Sequence, residues 1–198
     1  YGGIIMHDII SVRHAEKALE QGVDGLICVA AGAGGHAGML SPFALIKEIR
    51  GFFDGPIALS GAISYGGAVL SAQAMGADFA YIGTRFIATE EANADPAYKQ
   101  MIVDSAAKDV VYTNLFTGVH GNYLSKSVTQ AGLDPAELPV ADKTKMNFGS
   151  GGNTKAKAWK DIWGAGQGVG NIENAGPVAD VVAEMKAEYQ AAKARLLR

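Results

Sequence analysis

Apolar segments of strand length alternate with helical segments over residues 4–82, and the connections between them are short. The predicted strands cover 4–10, 24–31, 57–60 and 79–82. Helices are predicted from Ser11, from Ser41-Pro42 and from Gly66, because apolar side chains recur there at helical spacing behind cap-like residues. Strands and helices that alternate with short loops predict a parallel sheet with right-handed crossovers.

A short echo supports this alternation. Gly22-Val23-Asp24 and Gly76-Ala77-Asp78 each stand between a predicted helix end and a predicted strand. In both, a glycine suits the helix C-cap and an acidic residue suits the turn that follows. The echo therefore indicates that the same helix-to-strand connection is used twice.

The alternation stops after Arg85. A helix is predicted from Asp95-Pro96 through Ala107, an extended run over 110–116, and a polar loop or lid over 141–160. A last helix begins at Pro177. Its predicted apolar face consists of Val178, Val181, Val182, Met185 and Tyr189.

The number of strand–helix units separates two architectures. Four units are visible, whereas a closed (β/α)₈ barrel needs eight and a doubly wound sheet usually has five or six strands. Because the chain starts with Tyr1 and enters a strand almost at once, we favour the C-terminal half (strands 5–8) of a TIM barrel, followed by a C-terminal helical extension. The expected parts are a half-barrel over 1–90, a helical and loop insertion with the lid over 91–176, and a helix over 177–198 that packs on the barrel.

Composition and charge exclude several classes of protein. The chain is 48% hydrophobic and 19% charged, and its 26 glycines are roughly twice the average usage. A net charge of −3 provides no basic field for nucleic acid or an anionic membrane, and no apolar run is long enough to span a bilayer. Since the single cysteine, Cys28, excludes an internal disulfide framework, we expect a cytoplasmic protein.

Glycine turns follow the predicted strands and suggest a ligand site. The run 32–38 comes directly after the second strand, and Gly61-Ala62 and Gly83-Thr84 follow the third and fourth. Glycines at strand ends let a ligand approach the backbone closely, and the N–H groups there suit a phosphate. The residues alone leave two interpretations open: a phosphate site, or ordinary tight turns.

His36 is the candidate acid or base, since it stands within the glycine run and titrates near neutral pH. The alternative is a structural histidine that bonds to a backbone carbonyl. His7 and His14 are expected to pack or face solvent, and His120 is a weaker candidate for a substrate pocket. No metal-ligand spacing, nucleophile elbow or Walker pattern appears. The indole rings of Trp159 and Trp163 either cover a flavin-sized ring or pack under a loop.

Three motifs carry a family resemblance. Ala-Gly-Gly-His-Ala-Gly at 33–38, Ser-Gly-Ala-Ile at 60–63 and Tyr-Ile-Gly-Thr-Arg-Phe at 81–86 occur in the order and spacing of the nitronate monooxygenases, formerly called 2-nitropropane dioxygenases. Ala-Gly-Gln at 165–167 is similar to the family's C-terminal segment. The resemblance implies a TIM barrel that binds FMN and oxidises alkyl nitronates or nitroalkanes with O₂.

The resemblance also implies residue roles. His36 matches the catalytic base, and the positions that match cofactor-binding residues are Gly34, Gly35, Gly61, Ala62, Tyr81, Ile82, Gly83 and Thr84. Two positions depart from the family pattern. Ala62 stands where a second glycine is frequent, and its N–H is expected to remain available to a phosphate. Val29 stands where many members carry a glutamine that bonds to the flavin ring.

Related functions remain open at this stage. An FMN-dependent enoyl-acyl-carrier-protein reductase shares the barrel, the Gly-Gly-His and the Gly-Thr-Arg-Phe. A related NADH:quinone reductase is a third candidate, and a degenerate flavin-binding barrel is the non-enzymatic alternative. The resemblance implies a small-molecule nitronate or nitroalkane substrate and O₂ as partners, whereas charge, hydropathy and residue spacing predict no nucleic acid, no membrane and no metal. The oligomeric state is open, with a homodimer as one arrangement. The segment by itself is expected not to hold FMN tightly.

Overall fold

The computed structural model describes residues 2–141 and 160–198. The predicted lid over 141–160, apart from its two end residues, lies outside the described residues. In chain order the strands are β1 (Met6–Ile9), β2 (Gly25–Val29), β3 (Gly35–His36), β4 (Ile57–Ser60), β5 (Phe79–Ala80), β6 (Val110–Thr113) and β7 (Gly121–Leu124). The α-helices are α1 (Val12–Glu20), α2 (Pro42–Ile49), α3 (Gly66–Met75), α4 (Thr84–Ile87), α5 (Pro96–Val103), α6 (Ser125–Gln130) and α7 (Val178–Leu196).

The predicted strands form one parallel sheet in the order β1-β2-β4-β5. Helices α1, α2 and α3 connect consecutive strands of this sheet. Each central strand contributes alternate residues to the apolar core that packs against the helices. These residues are Leu26 and Cys28 of β2 and Ile57 and Leu59 of β4, and all four are buried. Burial raises the pKa of the Cys28 thiol to about 11, so this cysteine is a core residue and not a nucleophile. The predicted α/β fold with a parallel sheet is confirmed.

The sequence echo corresponds to a repeated hydrogen bond. Asp24 accepts the N–H of Ile5, beside β1, at 2.7 Å, and Asp78 accepts the N–H of Ile57, in β4, at 2.8 Å. Each aspartate precedes one strand and ties it to the start of the neighbouring strand. The acidic residue therefore sets sheet register as well as forming a turn.

Removing the Asp78 carboxylate is expected to lower the free energy of unfolding by about 1–3 kcal/mol, the usual cost of a buried donor left without its acceptor. The hydrogen bond from Ile57 N–H, followed by the interaction with Arg50 at 2.6 Å, holds the pKa of Asp78 below its usual range. This stabilisation is therefore present above about pH 4 and is lost as the pH falls through the folded-state pKa. Urea unfolding at pH 7 and in acid measures the free energy of unfolding of Asp78→Ala relative to the wild type. Glu16→Ala, at an exposed position, is the control. Equal midpoints for Asp78→Ala and the control at pH 7 would contradict it.

A second, antiparallel sheet was only partly predicted. Its order is β3-β7-β6, and Gly35 and His36 pair with Asn122 and Gly121. The extended run predicted over 110–116 ends as a strand at Thr113, and β7 has no strand-like pattern of its own. A two-residue strand such as β3 exists only because its partner approaches it, so sequence periodicity cannot reveal it.

Helix α7 packs closely on α3. A Cβ at Gly66 would overlap the carbonyl oxygen of Met185, and the Glu188 carboxylate accepts the N–H of Gly66 at 2.7 Å. The buried residues of α7 are Val181 and Ala192. The placement of Val182 on the apolar face was wrong, because close backbone packing leaves a narrow contact stripe and Val182 is 51% exposed.

Candidate active site

A cavity of about 280 Å³ lies where β4 and β5 end, between four glycine-containing segments. It is lined by Ala33, Gly34, Gly35, Ser60, Gly61, Ala62, Ile63, Ser64, Tyr81, Gly83, Thr84, Ile87, Tyr98, Gly164, Gly166 and Gly168. The carboxyl ends of parallel strands are the usual ligand side of α/β sheets. Among the predicted cofactor-binding residues, Ile82 alone is absent from this lining. The roles of all these residues stay predictions.

Glycines shape this cavity because the segments touch backbone to backbone. A Cβ at Gly34 would lie 2.7 Å from the nitrogen of Gly166, and a Cβ at Gly166 would lie 2.7 Å from the carbonyl oxygen of Gly32. A Cβ at Gly168 would lie 2.7 Å from the carbonyl oxygen of Ala62. Real Cβ atoms do not approach other atoms so closely. Segment 164–168 can therefore pack this tightly on the other loops only because residues 166 and 168 are glycines.

Gly83 and Thr84 place three hydrogen-bond donors at one end of the cavity. The N–H groups of both residues donate to no other group in the described part of the chain. The Thr84 hydroxyl oxygen accepts the N–H of Gly166 at 2.9 Å, and this leaves its own O–H as a further donor. These three donors suit an anion such as a phosphate.

Ala62 contributes differently from what the sequence suggested. Its N–H donates to the carbonyl oxygen of Gly32 at 3.1 Å, so the expectation that this N–H is available to a phosphate was wrong. Its φ is 54°, in the left-handed region that favours glycine. This explains why glycine suits the position. The first N–H of the neighbouring helix α3, at Gly66, is also occupied, since it donates to the Glu188 carboxylate.

Tyr98 lines the cavity and was missed by the sequence analysis. Its ring stacks on Trp163 with centroids 5.1 Å apart, and its hydroxyl donates to the carbonyl oxygen of Gly164. Burial raises the pKa of Tyr98 to about 12, so it stays protonated. The indole of Trp163 packs on Tyr98, which agrees with packing under a loop, and Trp159 lies outside the described residues. No sequence motif indicated Tyr98, because its position in the cavity depends on its contact with Gly164, which is distant in sequence.

His36 ends the short strand β3, directly after the cavity-lining Gly35. It is not itself a lining residue of the cavity. Its Nε2 lies 2.8 Å from the hydroxyl oxygen of Thr117, and the next residue, Ala37, donates its N–H to the carbonyl oxygen of His120 at 3.3 Å. Although the residue is exposed, partial burial of the ring lowers the pKa of His36 below its ordinary value. The imidazole is therefore neutral at pH 7 and able to accept a proton.

The other histidines lie apart from the cavity. His7 and His14 are exposed, as expected, and His120 stacks on Tyr112 with centroids 5.0 Å apart. Within residues 2–141 and 160–198, no group of three or more His, Cys, Asp or Glu side chains could hold a metal ion. No helix of these residues is both long and apolar enough to cross a membrane.

The fold is α/β, and a glycine-rich cavity lies at the carboxyl edge of its parallel sheet, the usual ligand side of such folds. The sequence model for nitronate monooxygenase matches residues 1–188. The chain therefore belongs to the nitronate monooxygenase family.

Curated relatives agree with this assignment. The chain is 26% identical over 194 residues to a nitronate monooxygenase of Paraburkholderia phytofirmans, covering 91% of this chain and 53% of the relative. It is 26% identical over 212 residues to a nitronate monooxygenase of Neurospora crassa, covering 94% of this chain and 54% of the relative. The chain thus spans about half the length of these relatives.

Solved structures show the same fold. FabK from Thermotoga maritima matches with a TM-score of 0.75 at 21% identity, over 98% of this chain and 63% of that one. A nitroalkane oxidase from Streptomyces ansochromogenes matches with a TM-score of 0.73 at 22% identity, over 98% of this chain and 60% of that one. Both are TIM barrels, so the predicted relation to that fold is confirmed, and the chain accounts for part of such a barrel.

Proposed function

We propose that the protein oxidises alkyl nitronates or nitroalkanes with O₂ and uses FMN as cofactor. The observation that carries this proposal is the junction of a neutral histidine, His36, with a glycine-lined cavity that has an anion-binding end at Gly83-Thr84. Membership of the nitronate monooxygenase family supports the reaction class. A cytoplasmic location belongs to the same proposal.

The residues present fit FMN. Gly83 and Thr84 supply two N–H groups and a hydroxyl that would bind the phosphate. Gly34, Gly35 and Gly166 line the cavity, so main chain rather than side chain would face a planar ring there. Bound there, FMN would supply the redox chemistry, taking electrons from the substrate and passing them to O₂.

His36 would remove the α-proton of a neutral nitroalkane and so generate the nitronate. Proton abstraction requires the free base form of the imidazole, which the lowered pKa provides at pH 7. A substrate that arrives as the nitronate has already lost this proton and does not need the base. The two substrate forms therefore separate the proton-transfer role of His36 from binding and oxidation.

The enoyl reductase and quinone reductase alternatives use the same kind of barrel. The similarity to FabK, at 21% identity, concerns the fold and does not distinguish these reactions. The distinguishing property is the electron donor, because a reductase accepts hydride from NAD(P)H whereas a nitronate monooxygenase takes electrons from its substrate. A flavin that reacts with neither donor would indicate the non-catalytic alternative.

The complete protein with bound FMN is expected to lose its flavin absorbance, near about 450 nm for this cofactor class, when an alkyl nitronate is added without oxygen. NADH in a parallel cuvette is expected to leave the absorbance unchanged, and admitting air to the first cuvette should restore it. Bleaching by NADH alone would replace the proposal with a reductase. No bleaching by either donor would leave a binding protein without turnover.

A further inference from the structure

Thr117 is buried beside His36, although the two residues are far apart in sequence. It lies in the connection between β6 and β7 and is 3% exposed. The pairing of β3 with β7 sets His36 opposite Gly121, and this pairing brings the imidazole to the threonine. A Cβ at Gly121 would lie 2.8 Å from the carbonyl oxygen of Gly35, so the close approach depends on that glycine.

The hydrogen bonds around the Thr117 hydroxyl determine where its single proton goes. The hydroxyl lies 3.0 Å from the carbonyl oxygen of Val119, and a carbonyl can only accept, so the threonine must be the donor in that bond. The N–H of Val119 lies 3.3 Å from the same hydroxyl oxygen and donates to it. With its proton directed to Val119, the hydroxyl oxygen can meet His36 Nε2 at 2.8 Å only as an acceptor.

We propose that Thr117 is a positioning residue that keeps the proton of neutral His36 on Nε2 and so makes Nδ1 the basic nitrogen. This inference rests on the proposed function of His36 and adds which ring nitrogen does the chemistry. A histidine whose proton is fixed on one nitrogen presents a single base in a single orientation. Removing the threonine hydroxyl would take away the acceptor that favours Nε2–H, so a larger part of the population would carry the proton on Nδ1.

The first test is the tautomer of His36 in the complete, FMN-loaded protein, observed by long-range ¹H–¹⁵N correlation NMR at a pH where the ring is neutral. The His36 signals are identified by their loss in His36→Asn. We expect the Nε2–H pattern in the wild-type protein and in Thr117→Ser, and a mixture in Thr117→Val. An Nδ1–H pattern in the wild-type protein would overturn the proposal even if no variant folded.

The second test compares two substrate forms. Thr117→Val is expected to lower kcat/KM for a neutral nitroalkane at least about tenfold, a part of the usual contribution of a general base, and to change kcat/KM for the preformed nitronate less than about twofold. Thr117→Ser should restore the first value. Equal losses for both substrates, or no rescue by serine, would mean that the threonine has only a structural role. If neither substrate reacts with the wild-type protein, the proposed function fails, and the NMR result still decides the tautomer.

Discussion

Replacing His36 by asparagine is expected to lower kcat/KM for a neutral nitroalkane by about 10²–10⁴-fold, the usual contribution of a positioned general base. Asparagine keeps a polar side chain at the end of β3 but cannot take a proton. The same variant should oxidise a preformed nitronate at close to the wild-type rate, because that substrate has already lost its α-proton. Steady-state kinetics with the two substrate forms, each in air, measure the ratio directly.

The pH dependence of the wild-type reaction belongs to the same prediction. Burial lowers the pKa of His36, so kcat/KM for the neutral nitroalkane should rise with pH through a midpoint below about 6.5, the ordinary histidine value. His14→Asn, at an exposed position on α1, is the matched control and should leave both substrates unaffected. A His36→Asn enzyme that still oxidised the neutral nitroalkane at the wild-type rate would remove His36 from the mechanism.

Replacing Gly166 by alanine is expected to weaken FMN binding by roughly 5- to 150-fold. The added Cβ would lie 2.7 Å from the carbonyl oxygen of Gly32 and 3.2 Å from the nitrogen of Gly34. Both neighbours are backbone atoms and cannot move aside as a side chain can. Overpacking of this kind costs about 1–3 kcal/mol, which corresponds to the stated range if the loops separate at the cavity. Fluorescence titration of the apoprotein with FMN measures the change.

Gly170→Ala is the matched control for this substitution. It lies in the 3-10 helix Gln167–Asn171, which Gly166 directly precedes. Its added Cβ would come no closer than 3.4 Å to Ala106 and Ala107, an ordinary contact. We expect FMN affinity in Gly170→Ala within about twofold of the wild type. If both variants bound FMN as the wild type does, the cavity between segment 164–168 and residues 32–35 would not be the flavin site.

The sequence predicted the parallel sheet well because that part of the fold depends on local pattern. Each strand is an apolar run, each crossover helix begins after a recognisable cap, and Ser11 does cap α1 by accepting the N–H of His14 at 3.3 Å. The Gly76 C-cap adopts φ 106°, as its place at the helix end suggested. The motifs at 33–38, 60–63 and 81–86 stand at strand ends, so the sheet alone brings most of the predicted cofactor-binding residues to one edge.

Partners distant in sequence were not predictable. Tyr98 reaches the cavity through Gly164, 66 residues later in the chain, and Thr117 meets His36 across 81 residues. Neither contact leaves a periodic or motif-like trace, because each depends on a single close approach between segments. The same reason explains why the Ala62 N–H was wrongly predicted to be available to a phosphate. That N–H donates to the carbonyl oxygen of Gly32, which lies in another loop.

The sequence by itself determined the alternating sheet, the glycine turns at its carboxyl edge and the candidate base at His36. Only the tertiary structure decided which backbone donors face the cavity and which side chain fixes the ring of His36. The physical reason is the range of the interactions. Strand patterns and helix caps depend on residues that are close together in sequence. Backbone contacts such as that between Gly34 and Gly166 join distant segments and form only after the loops have packed.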